Sequence, residues 1–240
     1  MTGAASGIGR ATVDRLRADG LAVGAIDRDA AGLERMARSA GMVSTGPRFE
    51  IAAADVADAD AVAAAVRRIV EALGPVDALI NNAGIGGSGT FLDTDAAAWQ
   101  RLQDVHVGGA VHVTRLVLPS MLARGGGRIV TILSDGLWHG RTTVAYTAAK
   151  GALLGFTRSL AVEVAADGVR VNAVAPGPVA TPMLLDDDPV AVEAERRTVP
   201  TGRFLEPAQV AATIAFLVGP GGDEYVGQVL SPNGGTVFPG

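Results

Sequence analysis

Cysteine is absent from all 240 residues, which excludes disulfides, thiolate metal ligands and thiol nucleophiles. Histidine is scarce. His106, His112 and His139 show no H-E-x-x-H spacing, and residues six apart do not share a helix face, so no protein-held metal is expected. Positive charge is not in excess: the net charge is −5 and Lys and Arg are not clustered, so nucleic acid is not an expected partner. No apolar run reaches the ~18 residues of a membrane span. The first residues lack a basic stretch followed by an apolar one, so no signal peptide is expected. A cytoplasmic protein without a membrane partner is the simplest expectation.

What is present suits one sizeable core. Hydrophobic residues make up 48% of the chain and glycine is abundant, at 32 residues. Short apolar segments alternate with Ala-rich, helix-periodic ones. Strands are expected at Leu21–Ile26, Phe49–Ala53, Val76–Ile80, Arg128–Leu133, Val169–Val174 and Gln228–Leu230. Helices are expected at Ile8–Asp19, Ala30–Ala40, Ala59–Leu73, Ala96–Leu122, Val144–Ala166 and Pro207–Val218. Gly20, Gly74 and Gly168 each follow a helical stretch and precede a strand, as helix-ending glycines do. This alternation implies an α/β fold with a parallel sheet covered on both faces. With no repeat, linker or composition break, residues 1–240 read as a single domain. Pro178–Glu206 breaks the alternation and reads as an inserted flap over the sheet.

Two constellations carry chemistry. Tyr146 and Lys150 are four residues apart and share a helix face. An ammonium held near a phenol favours the phenolate, so Tyr146 is expected to have a lowered pKa and to act as general acid or base. Ser134, twelve residues before the Tyr, could hold a carbonyl oxygen. The second constellation is Thr2-Gly3-Ala4-Ala5-Ser6-Gly7-Ile8-Gly9, which runs directly into a helix. Its glycines would let the backbone approach a pyrophosphate, and the helix start offers free N–H groups and a positive dipole end. The spacing is G-x-x-x-G-x-G rather than G-x-G-x-x-G, so alone it could be a glycine-rich turn.

With these motifs the chain resembles the short-chain dehydrogenase/reductase family, over nearly its whole length and in matching order. The resemblance rests on T-G-x-x-x-G-I-G at 2–9, Asp55-Val56, Asn81-Asn82-Ala83-Gly84, Ser134, Tyr146 with Lys150, Val171-Asn172-Ala173-Val174-Ala175-Pro176-Gly177, and Gly227-Gln228-Val229-Leu230 with Asn233-Gly234-Gly235. It implies a doubly wound, Rossmann-type fold. It also implies hydride transfer between a nicotinamide dinucleotide and a hydroxyl/carbonyl pair. Gly3, Ser6, Gly7, Ile8 and Gly9 would cradle the pyrophosphate.

Asp27 ends the second-strand segment, 18 residues after Gly9. A carboxylate there accepts from ribose hydroxyls and repels a 2′-phosphate, which favours NAD over NADP. Arg28 argues weakly the other way. By resemblance, Asp55 and Val56 would flank the adenine, and Asn82, Ala83 and Gly84 would pass beside the adenosine ribose. Asp55 could equally cap the following helix. Asn81 reads as a structural tie. Pro176, Gly177, Val179 and Thr181 resemble the loop that holds the nicotinamide carboxamide. The substrate pocket is expected among Gly136–His139, Gly86–Thr90 and the flap 182–200. Leu137, Trp138, Met183 and Leu184 suggest an apolar or ring-containing substrate.

Two departures from the family stand out. An Asn that commonly completes a proton relay is replaced by His106, which could relay protons or simply bond a backbone carbonyl. And Met1 stands immediately before the glycine loop, where the family has a first, central strand. That strand is missing or truncated, and its loss would leave two neighbours with unpaired backbone. The natural chain is therefore expected to begin upstream, unless another segment or an adjustment of the sheet closes the gap. The expected activity is NAD(H)-dependent interconversion of a secondary alcohol and its ketone by a homo-oligomer, tetramer or dimer. The rivals are a non-catalytic dinucleotide-binding or redox-responsive subunit, and an epimerase or dehydratase, which usually needs a larger substrate domain.

Overall fold

Glycines with positive φ end the helical stretches where the sequence expects them, at Gly20 (89°), Gly74 (95°) and Gly168 (79°). The computed structural model describes residues 1–41, 46–87, 89–140 and 142–238. Its elements run α1 (Gly7–Ala18), β1 (Val23–Asp27), α2 (Ala30–Gly41), β2 (Phe49–Ala53), α3 (Ala59–Leu73), β3 (Ala78–Asn81), α4 (Ala96–Gln103) and α5 (Gly109–Ala123). They continue with β4 (Gly127–Ile132), α6 (Gly136–His139), α7 (Val144–Val164), β5 (Val169–Val174), α8 (Pro182–Leu185), α9 (Pro189–Thr198), α10 (Pro207–Val218) and β6 (Val229–Leu230).

All strand pairs are parallel, in the orders β1-β2 and β3-β4-β5-β6. Alternate residues go to opposite faces, as the two-residue period of a strand requires. Ile129 and Val171 pack with Val62, Ile69, Val113 and Val117 of α3 and α5. Val130 and Ile132 pack with Leu16, Leu33 and Ile214 of α1, α2 and α10. The fold is therefore a parallel α/β sheet with helices on both faces.

Among the described residues, only Met1 and Thr2 stand between β1 and β3. Thr2 bridges Ile26 in parallel and donates its N–H to the Ile80 carbonyl at 3.1 Å, while the Met1 carbonyl accepts from the Ile26 N–H at 2.9 Å. Two residues thus do the pairing of a strand's end. Behind them remains a cavity of about 450 Å³ walled by Val23 and Gly24 on one side and Ala78 and Leu79 on the other. The Met1 amino group is buried, donates to the Gly24 carbonyl at 2.9 Å, and is pulled down to a pKa of about 5 by burial.

The sequence reads 96–122 as one continuous helix, and the chain is helical throughout it, with one turn widened. Asp104–Gly108 forms a π turn between α4 and α5. A Cβ on Gly109 would stand 2.7 Å from Val56 Cγ2, so α5 packs tightly on the β2–α3 turn. The flap is also more ordered than its composition suggests. Leu205 donates to Pro178 O and accepts from Ala180 N–H, at 2.9 and 2.8 Å, which closes a stem below α8 and α9.

Candidate active site

The glycine loop is held by backbone contacts that side chains would prevent. Gly3 has φ 61°, and a Cβ there would lie 2.8 Å from Ala83 Cα. A Cβ on Gly9 would lie 1.8 Å from the Gly3 carbonyl oxygen, so α1 begins flush beneath the loop. Gly9 supports the cavity floor from below; Gly3, Ser6, Gly7 and Ile8 line it. Asn82 does more than its backbone was expected to do. Its side-chain amide donates to the Thr2 and Gly3 carbonyls, both at 3.0 Å. Ser6 precedes α1 without a capping side-chain hydrogen bond, and the first N–H groups of a helix have no partner within it. Those donors face a cavity of about 1030 Å³.

Asp27 lies at one end of this cavity with Arg28 beside it. Its two oxygens accept from the Ala5 and Asp29 N–H groups, each at 2.9 Å, which ties the carboxylate to the glycine loop. Asp55 and Val56 line the same end, as do Ala83 and Gly84 from the loop after β3. Asp58, not Asp55, caps α3. Asp55 accepts from the Ala57 N–H and pairs with Arg101 at 2.5 Å. Arg101 also lines the cavity, and nothing in its local sequence marks it. Asn81 donates to Thr114 Oγ1 at 3.1 Å and ties β3 to α5. Across the cavity run Pro176, Gly177, Val179 and Thr181. Thr181 packs on Gly7, whose added Cβ would lie 2.9 Å from Thr181 Cγ2.

Ser134, Tyr146 and Lys150 all line this cavity. Ser134 follows the end of β4, and its hydroxyl accepts from the Gly136 N–H at 3.1 Å. One helical turn in α7 sets the Lys150 ammonium 5.4 Å from the Tyr146 ring centroid. Lys150 is 4% exposed, donates to the Ile132 carbonyl at 2.7 Å, and is drawn down to about 7 by burial. Burial pushes the Tyr146 phenol up to about 12; its hydrogen bond with Ser134 opposes this and the Asp135 carboxylate adds to it. The phenol is thus raised where the sequence leads to the expectation of a lowered one, because burial outweighs the Ser134 hydrogen bond. Tyr146 stands ready as a proton donor.

His106 is 2% exposed and packs edge-on to Tyr146, with ring centroids 5.4 Å apart. Its Nε2 lies 2.9 Å from the Ile85 carbonyl and 3.2 Å from the Ile85 nitrogen, while its Nδ1 is buried without a hydrogen-bond partner. A Cβ on Gly84 would sit 2.6 Å from this ring. Burial, and then the charge of Lys150, lower the His106 pKa to about 3. Burial thus favours the neutral ring, with both a donor and an acceptor nitrogen.

The substrate end differs in character from its expected apolar wall. Met183 and Leu184 of the flap line the cavity, but Leu137 and Trp138 are not among its lining residues. Gly136–His139 forms a helical turn, so successive side chains fan out. Leu137 packs against the core beside Leu133 and Leu153, and Trp138 is 38% exposed. Asp135 and His139, one turn apart, line the cavity instead. Gly86 and Gly87 line it as well; Ser88, within the expected 86–90 stretch, lies outside the described residues. No group of three or more His, Asp or Glu among the described residues could hold a metal.

The family model described as short chain dehydrogenase matches residues 1–189. The chain is 40% identical over 240 residues to a galactitol 2-dehydrogenase (L-tagatose-forming) of Cereibacter sphaeroides, covering 98% of this chain and 92% of the relative. It is 38% identical over 243 residues to the short-chain reductase protein NovJ of Streptomyces niveus, with the same two coverages. The crystal structure of a 3-ketoacyl-(acyl-carrier-protein) reductase from Brucella melitensis complexed with NADH superposes with a TM-score of 0.90. That pair shares 32% identity, over 99% of this chain and 96% of the other.

Proposed function

The chain belongs to the short-chain dehydrogenase/reductase family of nicotinamide-dinucleotide oxidoreductases, and on that premise we propose that it transfers a hydride between NAD(H) and a secondary alcohol or its ketone. The observation that carries this is the presence of Ser134, Tyr146 and Lys150 on the wall of the same cavity that the glycine loop floors. The cradle fits a dinucleotide: Gly3 and Gly7 let the loop pack closely on Ala83 and Thr181 along the cavity wall, uncommitted N–H groups open α1, and Asp27 is anchored where a ribose would lie. Bound there, NAD(H) supplies the hydride acceptor or donor.

In alcohol oxidation Tyr146 takes the hydroxyl proton as a phenolate and becomes the phenol, Ser134 donates to the substrate oxygen, and the Lys150 ammonium stabilises the phenolate before that proton arrives. In carbonyl reduction Tyr146 donates that proton, which suits a phenol held protonated up to about 12. Lys150 would also meet the nicotinamide ribose, and Pro176, Gly177, Val179 and Thr181 the carboxamide. His106 holds the Ile85 backbone and the edge of the Tyr146 ring. Met183 and Leu184 supply an apolar flap surface for a ring-containing substrate. We assign the whole chain to one domain with the flap at 178–206, in a homo-oligomer built on α5 and α7. Exposed Leu116 (42%) and Val162 (81%) support such an interface.

NAD is preferred over NADP because Asp27 repels a 2′-phosphate. Fluorescence titration of NADH and NADPH, followed by a panel of ketones, tests the reading. Tight NADH binding, at least about 10-fold weakened in Asp27→Ala, and turnover of a ketone are expected. Binding without any turnover would make the chain a non-catalytic dinucleotide-binding subunit instead.

A further inference from the structure

The residue after Ser134 is a buried acid. Asp135 is 4% exposed, and a carboxylate is removed from water at a cost unless it is hydrogen-bonded or paired. Both its oxygens are engaged. The Thr236 hydroxyl donates to Oδ2 at 2.5 Å, and His139 Nε2 lies 3.4 Å from Oδ1. Thr236 comes from the chain's far end, 101 residues away, so the fold itself fixes this arrangement. His139 is held one turn along α6, its side chain 16% exposed, and it lines the cavity beside Tyr146. From the flap, Glu195 of α9 lines the same cavity. Its carboxyl is raised by burial and by Asp135 and Asp187, and lowered by His139, so these four groups share one field.

None of these groups takes part in the proton transfer assigned to Ser134, Tyr146 and Lys150. Resting on the dehydrogenase reading above, we propose that His139, aimed by Asp135, and Glu195 from α9 on the same cavity wall bind a second hydroxyl of the substrate. A hydroxyl donates and accepts at once, which matches an imidazole and a carboxylate together. A carboxylate or phosphate at the same place would meet Asp135, Asp187 and Glu195 and be repelled. The substrate class is a neutral diol or polyol, and in the reverse direction a hydroxyketone.

The test compares oxidation of cyclohexanol with that of the 1,2-, 1,3- and 1,4-cyclohexanediols and of 4-hydroxycyclohexanecarboxylate, with NAD. The best diol is expected to exceed cyclohexanol in kcat/KM by at least about 10-fold, and the carboxylate to fall below both. In His139→Leu the diol-to-cyclohexanol ratio should collapse towards one. His139→Gln, which keeps a donor and an acceptor, should recover part of it, and Asp135→Asn should lower it by loosening the imidazole. Cyclohexanol turnover with no diol preference in the wild type overturns this proposal and leaves the dehydrogenase reading standing. So does a preference for the carboxylate. No turnover of any of these alcohols, nor of cyclohexanone with NADH, overturns both.

Discussion

Lys150→Met separates what this lysine costs the fold from what it contributes to the chemistry. Burial lowers the pKa of Lys150 from 10.5 to about 7, a difference of about 5 kcal/mol between its two protonation states. The unfolded lysine holds its proton up to 10.5 and the native one only to about 7, so the native state binds fewer protons between those values. Stability therefore rises with pH across that window, and the whole cost is present below about pH 7. Methionine has a similar reach and no charge. It leaves the Ile132 carbonyl without the donor now 2.7 Å away, a loss of about 1–3 kcal/mol. The variant should be more stable than the wild type by about 2–4 kcal/mol at pH 6.5, with the difference passing through zero at about pH 9 and reversing by pH 10.

Activity should move the other way. A unit positive charge 5.4 Å from the Tyr146 ring stabilises a phenolate by about 3 kcal/mol at an effective dielectric constant of about 20. That is roughly 100-fold in rate. Because the same transition state is crossed in both directions, kcat/KM should fall about 100-fold for oxidation and for reduction alike. Urea unfolding at pH 6.5 and pH 10, with steady-state kinetics at pH 6.5 where Lys150 carries its charge, measures both effects. A variant that is less stable at pH 6.5 than the wild type, or one with undiminished kcat/KM, would refute the reasoning.

Other perturbations follow from the same structure. Gly9→Ala places a Cβ 1.8 Å from the Gly3 carbonyl; it should abolish NADH binding in a fluorescence titration and destabilise by about 1–3 kcal/mol or more. Gly155→Ala, in the interior of α7 where an added Cβ meets nothing within 4 Å, should instead gain about 0.5–1 kcal/mol. His106 is neutral above about pH 3, so His106→Asn should leave the pH–rate profile between pH 6 and 9 unshifted; an ionisation present in the wild type and lost in the variant would contradict this. Extending the chain before Met1 by about five β-branched residues should fill the cavity of about 450 Å³ and remove the buried amino group. Thermal unfolding should then shift upwards by several degrees, since about 1 kcal/mol corresponds to a few degrees in a domain of this size.

The strands and most helix limits were legible because they depend on local signals. Helices α3 and α10 match their expected limits, and both have clear punctuation: Asp58 caps one, and Glu206 with Gln209 forms a capping box before Pro207 in the other. Ser134, Tyr146 and Lys150 were legible because their spacing and order are specific. What escaped depends on tertiary contacts. The π turn at 104–108 arises where the helix must bring His106 against Ile85 and Gly109 against Val56. The single turn of α6 sends Asp135 and His139 towards the pocket and leaves Leu137 and Trp138 outside its lining, which the sequence alone does not show. The phenol's direction of shift was misjudged because sequence shows the neighbouring cation but not the burial. Arg101 and Thr236 reach the site from far along the chain, and no local pattern marks either.

The most direct test of the central claim is isotope transfer. Cyclohexanone or a hydroxyketone is reduced with NADH carrying deuterium at both C4 positions of the nicotinamide, and the alcohol is examined by mass spectrometry. One deuterium on the carbinol carbon is expected, formed by the wild type and lost by at least about 1000-fold in Tyr146→Phe, which has no proton to donate. Alcohol formed without the label, or formed equally by Tyr146→Phe, would contradict hydride transfer with Tyr146 as the acid.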